Sequence, residues 1–334
     1  MSSIWERNEL NAKSQGGTER MMEGVLARLK PEYHEKFQII PSRVRELHDD
    51  RIRIYWLHDL PWDPETKHLT AENSRNRFHK IVYCGQWQMN MYQNHLGIPH
   101  TQQSCVIDTA TTPFGPINKG DPKEEIRLVY TSTPQRGLNI LVPVFEKLCE
   151  KYDNIVLDVF SSYKIYGWEN ADQQFEDLFD KCRNHPKINY HGFAPNETVR
   201  ETVAKAHIFA YPSIWPECNS QSLIEAMSSG AVCVHPNYAG LSDTSGSITI
   251  QYHWDQDVNV HANMFYAVLD DTIQKMRDND MMPYLQFQKT YADYRYNWDK
   301  IGSQWNALCE SLLNEYEGKD LSVPAPKFNY KSQL

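Results

Sequence analysis

The sequence lacks any run of apolar residues close to the roughly 18 that are needed to span a bilayer. Glycine and proline are not enriched either, since they number 15 and 18 and together make up about a tenth of the 334 residues. The first absence argues against a transmembrane segment, so we expect at most peripheral contact with a membrane. The second excludes collagen-like and low-complexity architectures. A chain of this length predicts two domains, each able to bury its own core.

The seven cysteines include no CxxC pair and are scattered and odd in number. This pattern argues against a disulfide framework and against a structural zinc site. It favours reduced thiols and a cytoplasmic protein. We predict no metal ligands and no bound cofactor.

An excess of basic residues is lacking as well, because the formal net charge is −9. Residues 1–122 are neutral, and residues 123–334 carry the whole excess of negative charge. A nucleic-acid surface requires a basic face to neutralise phosphates. A nucleic-acid partner is therefore not expected, although it stays open.

From residue 124 onward, short β-branched runs alternate with stretches of helical periodicity. Strands are predicted at 126–130, 155–160, 188–191, 208–211, 231–235 and 248–252, and helices at 138–152, 171–184, 197–205, 220–229 and 262–277. Asn196 is expected to cap the third of these helices, and Gly230 to follow the fourth. Regular alternation of this kind indicates a parallel sheet with helices on both faces. Residues 123–297 are thus predicted to form a doubly wound α/β domain.

Residues 1–122 show the same signs less regularly. A helix is expected at 18–29, and strands at 37–40, 52–57, 80–84 and 105–107. The polar segment 118–125 is interpreted as the linker between the domains. A last amphipathic helix is predicted at about 298–316, and residues 318–334 are expected to form an irregular tail.

Two carboxylates follow the strand at 208–211 in a pattern that suits a sugar nucleotide. Glu217 lies in the loop after the strand, where ligands of open α/β sheets gather. Glu225 lies about five residues inside the next helix. A loop carboxylate can accept hydrogen bonds from sugar hydroxyls, and free N–H groups near Ser220 suit a diphosphate. On spacing alone, a surface position for both residues is an equal alternative.

The pair lies within the pattern PS-x3-E-x7-E-AM-x2-G, which resembles the retaining GT-B glycosyltransferases of family 4. Other segments are similar to that family in order and spacing, from Gly16-Gly17 and His58 to Arg136-Gly137 and Gly192-Phe193. The resemblance extends over about residues 4–316. It implies two Rossmann-like domains facing across a cleft, with the last helix returning to the first domain. The first domain would bind the acceptor, and the second the nucleotide sugar.

The resemblance also implies roles for individual residues. His58, Arg136 and Glu217 would be catalytic: His58 lines the reacting face, Arg136 stabilises the departing diphosphate, and Glu217 holds the sugar. Glu225 would hold the ribose. The donor site would comprise Gly16, Gly17, Arg136, Gly137, Gly192, Phe193, Glu217, Cys218, Asn219, Ser220 and Glu225.

Three departures from the family pattern affect this interpretation. Thr131 stands where the family has a second cationic residue, so Arg136 would carry most of the side-chain charge at the diphosphate. Cys218-Asn219-Ser220 replaces the usual Gly-Phe-Gly. Thr109-Ala110 stands at the usual Asn-Gly.

The resemblance implies metal-independent transfer, with retention, from a UDP- or GDP-sugar to an acceptor hydroxyl. A glycan or a lipid-linked glycan is the expected acceptor, while modified DNA, protein and small molecules stay open. Two other functions remain as alternatives. The first is a GT-B relative such as an epimerase, and the second is a non-catalytic sugar-nucleotide-binding protein.

Overall fold

The computed structural model describes residues 14–168, 170–325 and Tyr330. The chain divides into two compact units. The first unit contains the chain up to Ala110 and again from Trp298, and the second contains Thr111–Asn297. The boundary therefore lies after residue 110 and not after residue 122. The first 13 residues and most of the tail beyond residue 325 lie outside the described part.

The sheet of the first unit has four parallel strands in chain order. They are β1 (Phe37–Pro41), β2 (Ile52–Leu57), β3 (Lys80–Tyr83) and β4 (Ser104–Val106). β1 and β2 are buried along their whole length. Burial on both faces explains why their apolar residues do not alternate with exposed polar ones, and Gln38 and Arg53 are buried as well.

The sheet of the second unit has six parallel strands. They are β5 (Ile126–Thr131), β6 (Ile155–Phe160), β7 (Ile188–Tyr190), β8 (Ile208–Ala210), β9 (Val232–Pro236) and β10 (Ile250–Tyr252). Their order across the sheet is β10-β9-β8-β5-β6-β7. The chain therefore runs outward from β5 to β7, returns to the other side of β5 and continues to β10. This reversal is the mark of a doubly wound sheet.

Eleven α-helices are assigned in the described residues. They are α1 (Gly17–Leu26), α2 (Glu72–Arg75), α3 (Gln86–Leu96), α4 (Leu138–Cys149), α5 (Glu176–Asn184), α6 (Asn196–Lys205), α7 (Gln221–Ser229), α8 (Leu241–Ser245), α9 (Val258–Asp278), α10 (Met282–Arg295) and α11 (Trp298–Tyr316). Short 3-10 turns occur between these elements. One, Pro134–Arg136, lies just before α4, and another, Tyr163–Tyr166, follows β6.

Both faces of the first sheet are covered. Strand residues such as Ile54 and Trp56 pack with α1 and α11, while Tyr55 and Leu57 of the same strand pack toward α3 on the other face. The single core of the second unit includes residues of all six strands, either buried or packed against it. Helix α11 thus joins the core of the first unit, as predicted.

The predicted elements of the second unit match the observed ones closely, with the corrections that follow. Pro195, not Asn196, precedes α6, and Asn196 is the first helical residue. Helices α8 and α10 were not predicted. In α10 the buried face includes Gln288 and Lys289 while Phe287 and Tyr294 are exposed, so its apolar residues form no single stripe. Gly230 ends α7 in the left-handed conformation at φ 73°, as expected.

The observed boundary lies before the predicted one because the segment after Ala110 is hydrogen-bonded to the rest of the second unit. Thr111 donates its N–H to the carbonyl of Tyr296 at 2.7 Å. Lys119, within the supposed linker, donates to the carbonyls of Ala204 and Ala206 at 3.1 and 2.5 Å. Polar composition suggested a linker, but these buried hydrogen bonds make the segment part of the second unit.

Candidate functional site

The carboxyl ends of β5 and β8 are adjacent at the point where the strand order of the second sheet reverses. In open α/β sheets, such a switch point is where ligands bind, because the loops on either side diverge and leave a crevice. The loop after β5 carries Arg136 and Gly137. The loop after β8 carries Glu217 and leads into α7. The two predicted motifs therefore meet at the site that the topology itself favours.

Arg136 and Glu217 form a largely buried ion pair at this point. Nη1 of Arg136 donates to Oε1 of Glu217 at 2.7 Å, and the two side chains are only 22% and 7% exposed. Tyr211, just past the end of β8, donates its hydroxyl to the same carboxylate oxygen at 2.5 Å. Tyr166 accepts a longer hydrogen bond from Arg136 Nη2 at 3.4 Å. These hydrogen bonds thus fix the orientation of the Arg136 guanidinium and of the Glu217 carboxylate at the switch point.

Electrostatics favours the charged form of Arg136. Burial by itself lowers the pKa of Arg136, but the negative charge of Glu217, together with Tyr166 and Tyr211, outweighs burial and raises that pKa well above its ordinary value. For Tyr211, burial and the same carboxylate both raise the pKa, so its hydroxyl stays a donor. The site therefore holds a permanent cation beside an anion.

Two glycines bring backbone segments into close contact around this pair. Gly137 has φ +123°, and a Cβ atom there would lie 2.2 Å from the carbonyl oxygen of Pro212. A Cβ at Gly240 would lie 2.5 Å from the carbonyl oxygens of Glu217 and Cys218. Only glycine permits these approaches. They hold the loops after β5 and β9 against the loop that carries Glu217.

The start of α7 continues the site. Ser220 caps the helix, accepting from the N–H of Leu223 at 3.4 Å, and its own N–H donates to Thr244 Oγ1 at 3.3 Å. Ser222 donates to the carbonyl of Thr131, at the end of β5, at 2.6 Å. Cys218 and Asn219 lie between Glu217 and the cap. These hydrogen bonds fix the first turn of α7 to the end of β5. The positive end of the α7 helix dipole therefore lies at the crevice.

Glu225 lies in the second turn of α7 and is 7% exposed. Its Oε1 atom pairs with Nη1 of Arg200 on α6 at 3.3 Å. The interpretation of Glu225 as a solvated helix position is therefore wrong. It is a buried carboxylate with a cationic partner that sequence reasoning did not identify.

The turn after β7 contains Gly192 and Phe193. Gly192 has φ +61°, and Phe193 is 38% exposed. His191, before the turn, donates from Nε2 to the buried carboxylate of Asp158 at 2.9 Å and stacks on Phe160 with ring centroids 4.3 Å apart. The turn is thus anchored to β6. No described contact joins Gly192 or Phe193 to the Arg136–Glu217 pair.

His58 belongs to the first unit, directly after β2. Burial lowers the pKa of His58 to about 3, so its imidazole is neutral at ordinary pH. The thiol of Cys84 donates to the carbonyl of Leu57 at 3.0 Å, which leaves its sulfur to accept from Nδ1 of His58 at 3.5 Å. The proton is then on Nδ1, and the buried Nε2 carries a lone pair without a partner among the described residues. His58 offers an acceptor atom rather than a charge.

The loop of His58 is fixed by α3. Gln88 donates to the carbonyls of Leu57 and Asp59 at 3.2 and 2.9 Å, and Tyr92 donates to the carbonyl of Asp59 at 3.0 Å. Gly16 and Gly17 also lie in the first unit. Gly16 is buried and precedes α1, whereas Gly17 is exposed, and a Cβ on it would meet no atom within 4 Å.

Sequence reasoning missed several neighbours of the Arg136–Glu217 pair. Tyr211 was read only as the end of a strand. Trp215, two residues before Glu217, is 39% exposed, and the Arg136 Cζ atom lies 5.7 Å from the centroid of its ring. An aromatic residue beside a loop carboxylate is the signal that could have marked Trp215.

No group of three or more His, Cys, Asp or Glu side chains is placed to hold a metal within residues 14–168, 170–325 and 330. Two Asp-x-Asp pairs flank α9, at 255/257 and 278/280. Three of these carboxylates accept backbone N–H groups. Asp255 accepts from Asp257, Asp257 caps α9, and Asp280 accepts from Met282. In that part of the chain, no helix is both long and apolar enough to cross a membrane.

A comparison with known protein families places a family match in the same unit as the Arg136–Glu217 pair. Residues 114–263, which lie inside the second unit, match the family model of glycosyl transferases group 1. No curated protein matches the chain. The matched region includes Arg136, Glu217 and Glu225, and thus the whole switch-point site.

Solved structures extend the similarity to both units. HepE from Anabaena, in complex with UDP-glucose, is 16% identical with a TM-score of 0.58, over 78% of this chain and 72% of that one. Sucrose-phosphate synthase from Thermosynechococcus elongatus is 16% identical with a TM-score of 0.60, over 89% of this chain and 79% of that one. The pneumococcal O-GlcNAc transferase GtfA, with UDP and GlcNAc, is 13% identical with a TM-score of 0.55, over 74% of this chain and 47% of that one. The expected fold, that of the GT-B glycosyltransferases, is confirmed.

Proposed function

We propose that this chain is a glycosyltransferase that takes a sugar from a nucleotide-diphosphate sugar and transfers it to an acceptor hydroxyl. The observation that carries the proposal is the buried Arg136–Glu217 pair at the switch point, 2.7 Å apart and next to the start of α7. A cation and a helix N-terminus suit a diphosphate, and a carboxylate suits sugar hydroxyls. The match of residues 114–263 to glycosyl transferases group 1 supports the same reading.

In this proposal, Arg136 and the first turn of α7 stabilise the negative charge that develops on the departing nucleotide diphosphate. Glu217 already accepts from Arg136 and Tyr211 through one oxygen. A carboxylate has about four lone-pair sites, so it retains capacity for a sugar hydroxyl. Catalysis would consist mainly of positioning and electrostatics, and no side chain is assigned as a covalent nucleophile.

His58 would accept a hydrogen bond at Nε2 from a donor or acceptor hydroxyl, because its imidazole is neutral and protonated on Nδ1. Glu225 would accept from the ribose diol. The remaining members of the donor site would be Gly16, Gly17, Gly137, Gly192, Phe193, Cys218, Asn219 and Ser220.

We further propose membership of family 4, retention at the anomeric carbon and transfer without a metal or a cofactor. These points are what the resemblance carried by the E-x7-E pattern implies. A UDP-sugar is the preferred donor, since HepE and GtfA were solved with UDP compounds. A glycan or a lipid-linked glycan is the proposed acceptor, and the cytoplasm the proposed location.

Donor binding and turnover test the proposal. UDP-glucose, UDP-GlcNAc and GDP-mannose are titrated by calorimetry into the wild-type protein and into Glu217→Gln. Release of UDP or GDP without an acceptor is then followed for each protein. We expect one donor to bind and to be slowly hydrolysed by the wild type. Glu217→Gln should lose at least about tenfold in turnover, because a charge-assisted hydrogen bond is lost.

The matched control is Glu176→Gln, which removes an exposed ion pair with Arg183 in the same unit. This variant should behave as the wild type. If no donor binds, the proposal is wrong. If a donor binds without any turnover, the chain is a sugar-nucleotide-binding protein instead.

A further inference from the structure

Arg200, on α6, is held at four points around its guanidinium group. Nη1 lies 3.3 Å from Glu225 Oε1 and donates to Thr111 Oγ1 at 3.2 Å. Nη2 donates to the carbonyl of Thr112 at 2.7 Å. The Cζ atom lies 3.8 Å from the centroid of the Phe114 ring. The planar group is thus fixed by α7, by residues 111–112 and by an aromatic face.

The segment that fixes Arg200 is itself anchored to the second unit. Phe114 donates its N–H to Ser228 Oγ at 3.2 Å, on α7, and its carbonyl accepts from Lys289 at 2.8 Å. Thr111 pairs with Asn297 in a short bridge. Arg200 therefore rests on a rigid support, and its guanidinium direction is determined before any ligand binds.

Glu225 depends on this support because its side chain is only 9% exposed. A buried carboxylate is unfavourable unless an opposite charge and hydrogen bonds compensate for the lost water. An arginine provides the charge, and its rigid fork of donors to Thr111 and Thr112 also fixes the position of the Nη1 atom that faces the carboxylate. A lysine would provide the charge alone.

We propose that Arg200 is a positioning residue of the donor site: it holds the Glu225 carboxylate in the orientation that accepts the ribose hydroxyls. This inference rests on the proposed function, in which Glu225 contacts the ribose. Two hydroxyls of a diol can be accepted together only by a carboxylate of fixed direction. A carboxylate fixed in advance also loses less conformational entropy on binding.

A purely structural role is the competing explanation, because Arg200 also ties α6 to residues 111–112. The two roles differ in one measurable property. A brace affects stability and all nucleotides alike, whereas a positioning residue affects the preference for a nucleotide that has ribose hydroxyls. The test therefore compares UDP with 2′,3′-dideoxy-UDP.

Calorimetry gives the ratio of the two dissociation constants for the wild type, Arg200→Gln, Arg200→Lys, Glu225→Gln and the double variant R200Q/E225Q. We expect the wild type to prefer UDP by about 10- to 100-fold, the range for a hydrogen bond to a charged group. Arg200→Gln should reduce this ratio by about tenfold. Arg200→Lys should reduce it by less, because it keeps the charge and loses only the fork.

The double variant should show the same ratio as Glu225→Gln, since without the carboxylate Arg200 has nothing to orient. Arg183→Gln, which removes an exposed arginine of the same unit, should leave the ratio unchanged. Thermal unfolding of each variant is measured in parallel. If Arg200→Gln does not fold, Arg200→Lys decides by the same ratio.

A lowered unfolding temperature with an unchanged ratio would show that Arg200 is only a brace, and the inference would be overturned while the proposed function stood. A wild type that binds neither nucleotide would overturn the proposed function, and this inference with it. A ratio that falls in the arginine variants and not in Arg183→Gln supports the inference.

Discussion

Glu217 and Glu225, eight residues apart, each face one arginine within the second unit. Glu217 pairs with Arg136 from the loop after β5, and Glu225 pairs with Arg200 from α6. Each carboxylate is largely buried, so each needs its own cation. The two glutamates are thus paired with arginines from two different elements. Of these two arginines, only Arg136 was identified from the sequence.

We predict that Arg136→Ala lowers kcat by about 10²-fold and raises the donor KM by less. In the proposed reaction, charge develops on the diphosphate as the glycosidic bond breaks, so the contact with Arg136 would be stronger in the transition state than in the ground state. Arg136→Lys should recover only part of the activity, because a point charge cannot reproduce the bidentate fork. Steady-state kinetics of nucleotide release measures both parameters.

Arg183→Ala, in the exposed ion pairs of α5, serves as the control and should keep wild-type kinetics. Normal turnover of Arg136→Ala would mean that the diphosphate is neutralised by other groups. The assignment of the loop after β5 as the phosphate loop would then be abandoned.

Buried histidines are expected to make the protein acid-sensitive, and His235 on β9 is the clearest case. Burial lowers the pKa of His235 to about 4, and its Nδ1 donates to the carbonyl of Pro236 while Nε2 accepts from Thr249. In the unfolded chain its pKa is about 6.5. Between these values the unfolded state binds more protons, so the stabilisation present above pH 6.5 is lost as the pH falls toward 4.

We therefore expect the wild type to lose about 2 kcal/mol from His235 alone between pH 7 and pH 5. His235→Gln should unfold at a lower temperature at pH 7 but lose less on going to pH 5. Thermal unfolding of both proteins at pH 7 and pH 5 checks whether the variant loses less stability than the wild type. An equal loss in both proteins would show that His235 is not responsible for the acid sensitivity.

At the scale of elements, α1 and α11 pack through a glycine. A Cβ atom on Gly24 would lie 2.1 Å from the Trp298 ring, so this ring rests directly on the backbone of α1. The guanidinium of Arg28 lies over the same ring, 4.5 Å from its centroid. The contact attaches a helix from the end of the chain to one from its start.

Gly24→Ala should destabilise the first unit by about 1–3 kcal/mol, because the added methyl displaces the Trp298 ring. Gly17→Ala, in the first turn of the same helix, meets no atom within 4 Å and should be neutral or slightly stabilising. Urea unfolding of the two variants gives the comparison. Equal effects would mean that the α1–α11 contact contributes little.

Local pattern predicted most elements but not all. Strands β2 and β6 were predicted to the residue, because short runs of mostly aliphatic and aromatic residues bounded by polar residues favour a buried strand. Helix α10 was missed, since aromatic residues lie on several of its sides and Phe287 and Tyr294 are 60% and 74% exposed. Where the apolar residues do not form one stripe, periodicity carries little information.

At the scale of the whole molecule, the chain passes between the two units twice, at Ala110–Thr111 and at Asn297–Trp298. The switch-point site and the Arg200 network lie wholly within the second unit. Gly16, Gly17 and His58 lie in the first. The proposed site residues therefore come from both units and from distant parts of the sequence.

We predict that EDTA leaves nucleotide-sugar turnover unchanged. The described residues contain no group of three His, Cys, Asp or Glu side chains placed for a metal, while in the proposed function Arg136 and the start of α7 would supply positive charge to the diphosphate. Nucleotide release is measured with and without chelator, and again after addition of Mg²⁺ or Mn²⁺. A full loss that either ion restores would contradict metal-independent transfer.

The sequence by itself determined the class of fold, the order of the strands and of most helices in the second unit, and the position of Glu225 on α7. These features depend on local periodicity and on short spacing along one helix. Only the tertiary structure decided which groups face the two glutamates. Arg136 and Glu217 are 81 residues apart and meet because β5 and β8 are neighbours in the sheet. Arg200 reaches Glu225 because α6 packs on α7, and long-range packing of that kind leaves no periodic trace in the sequence.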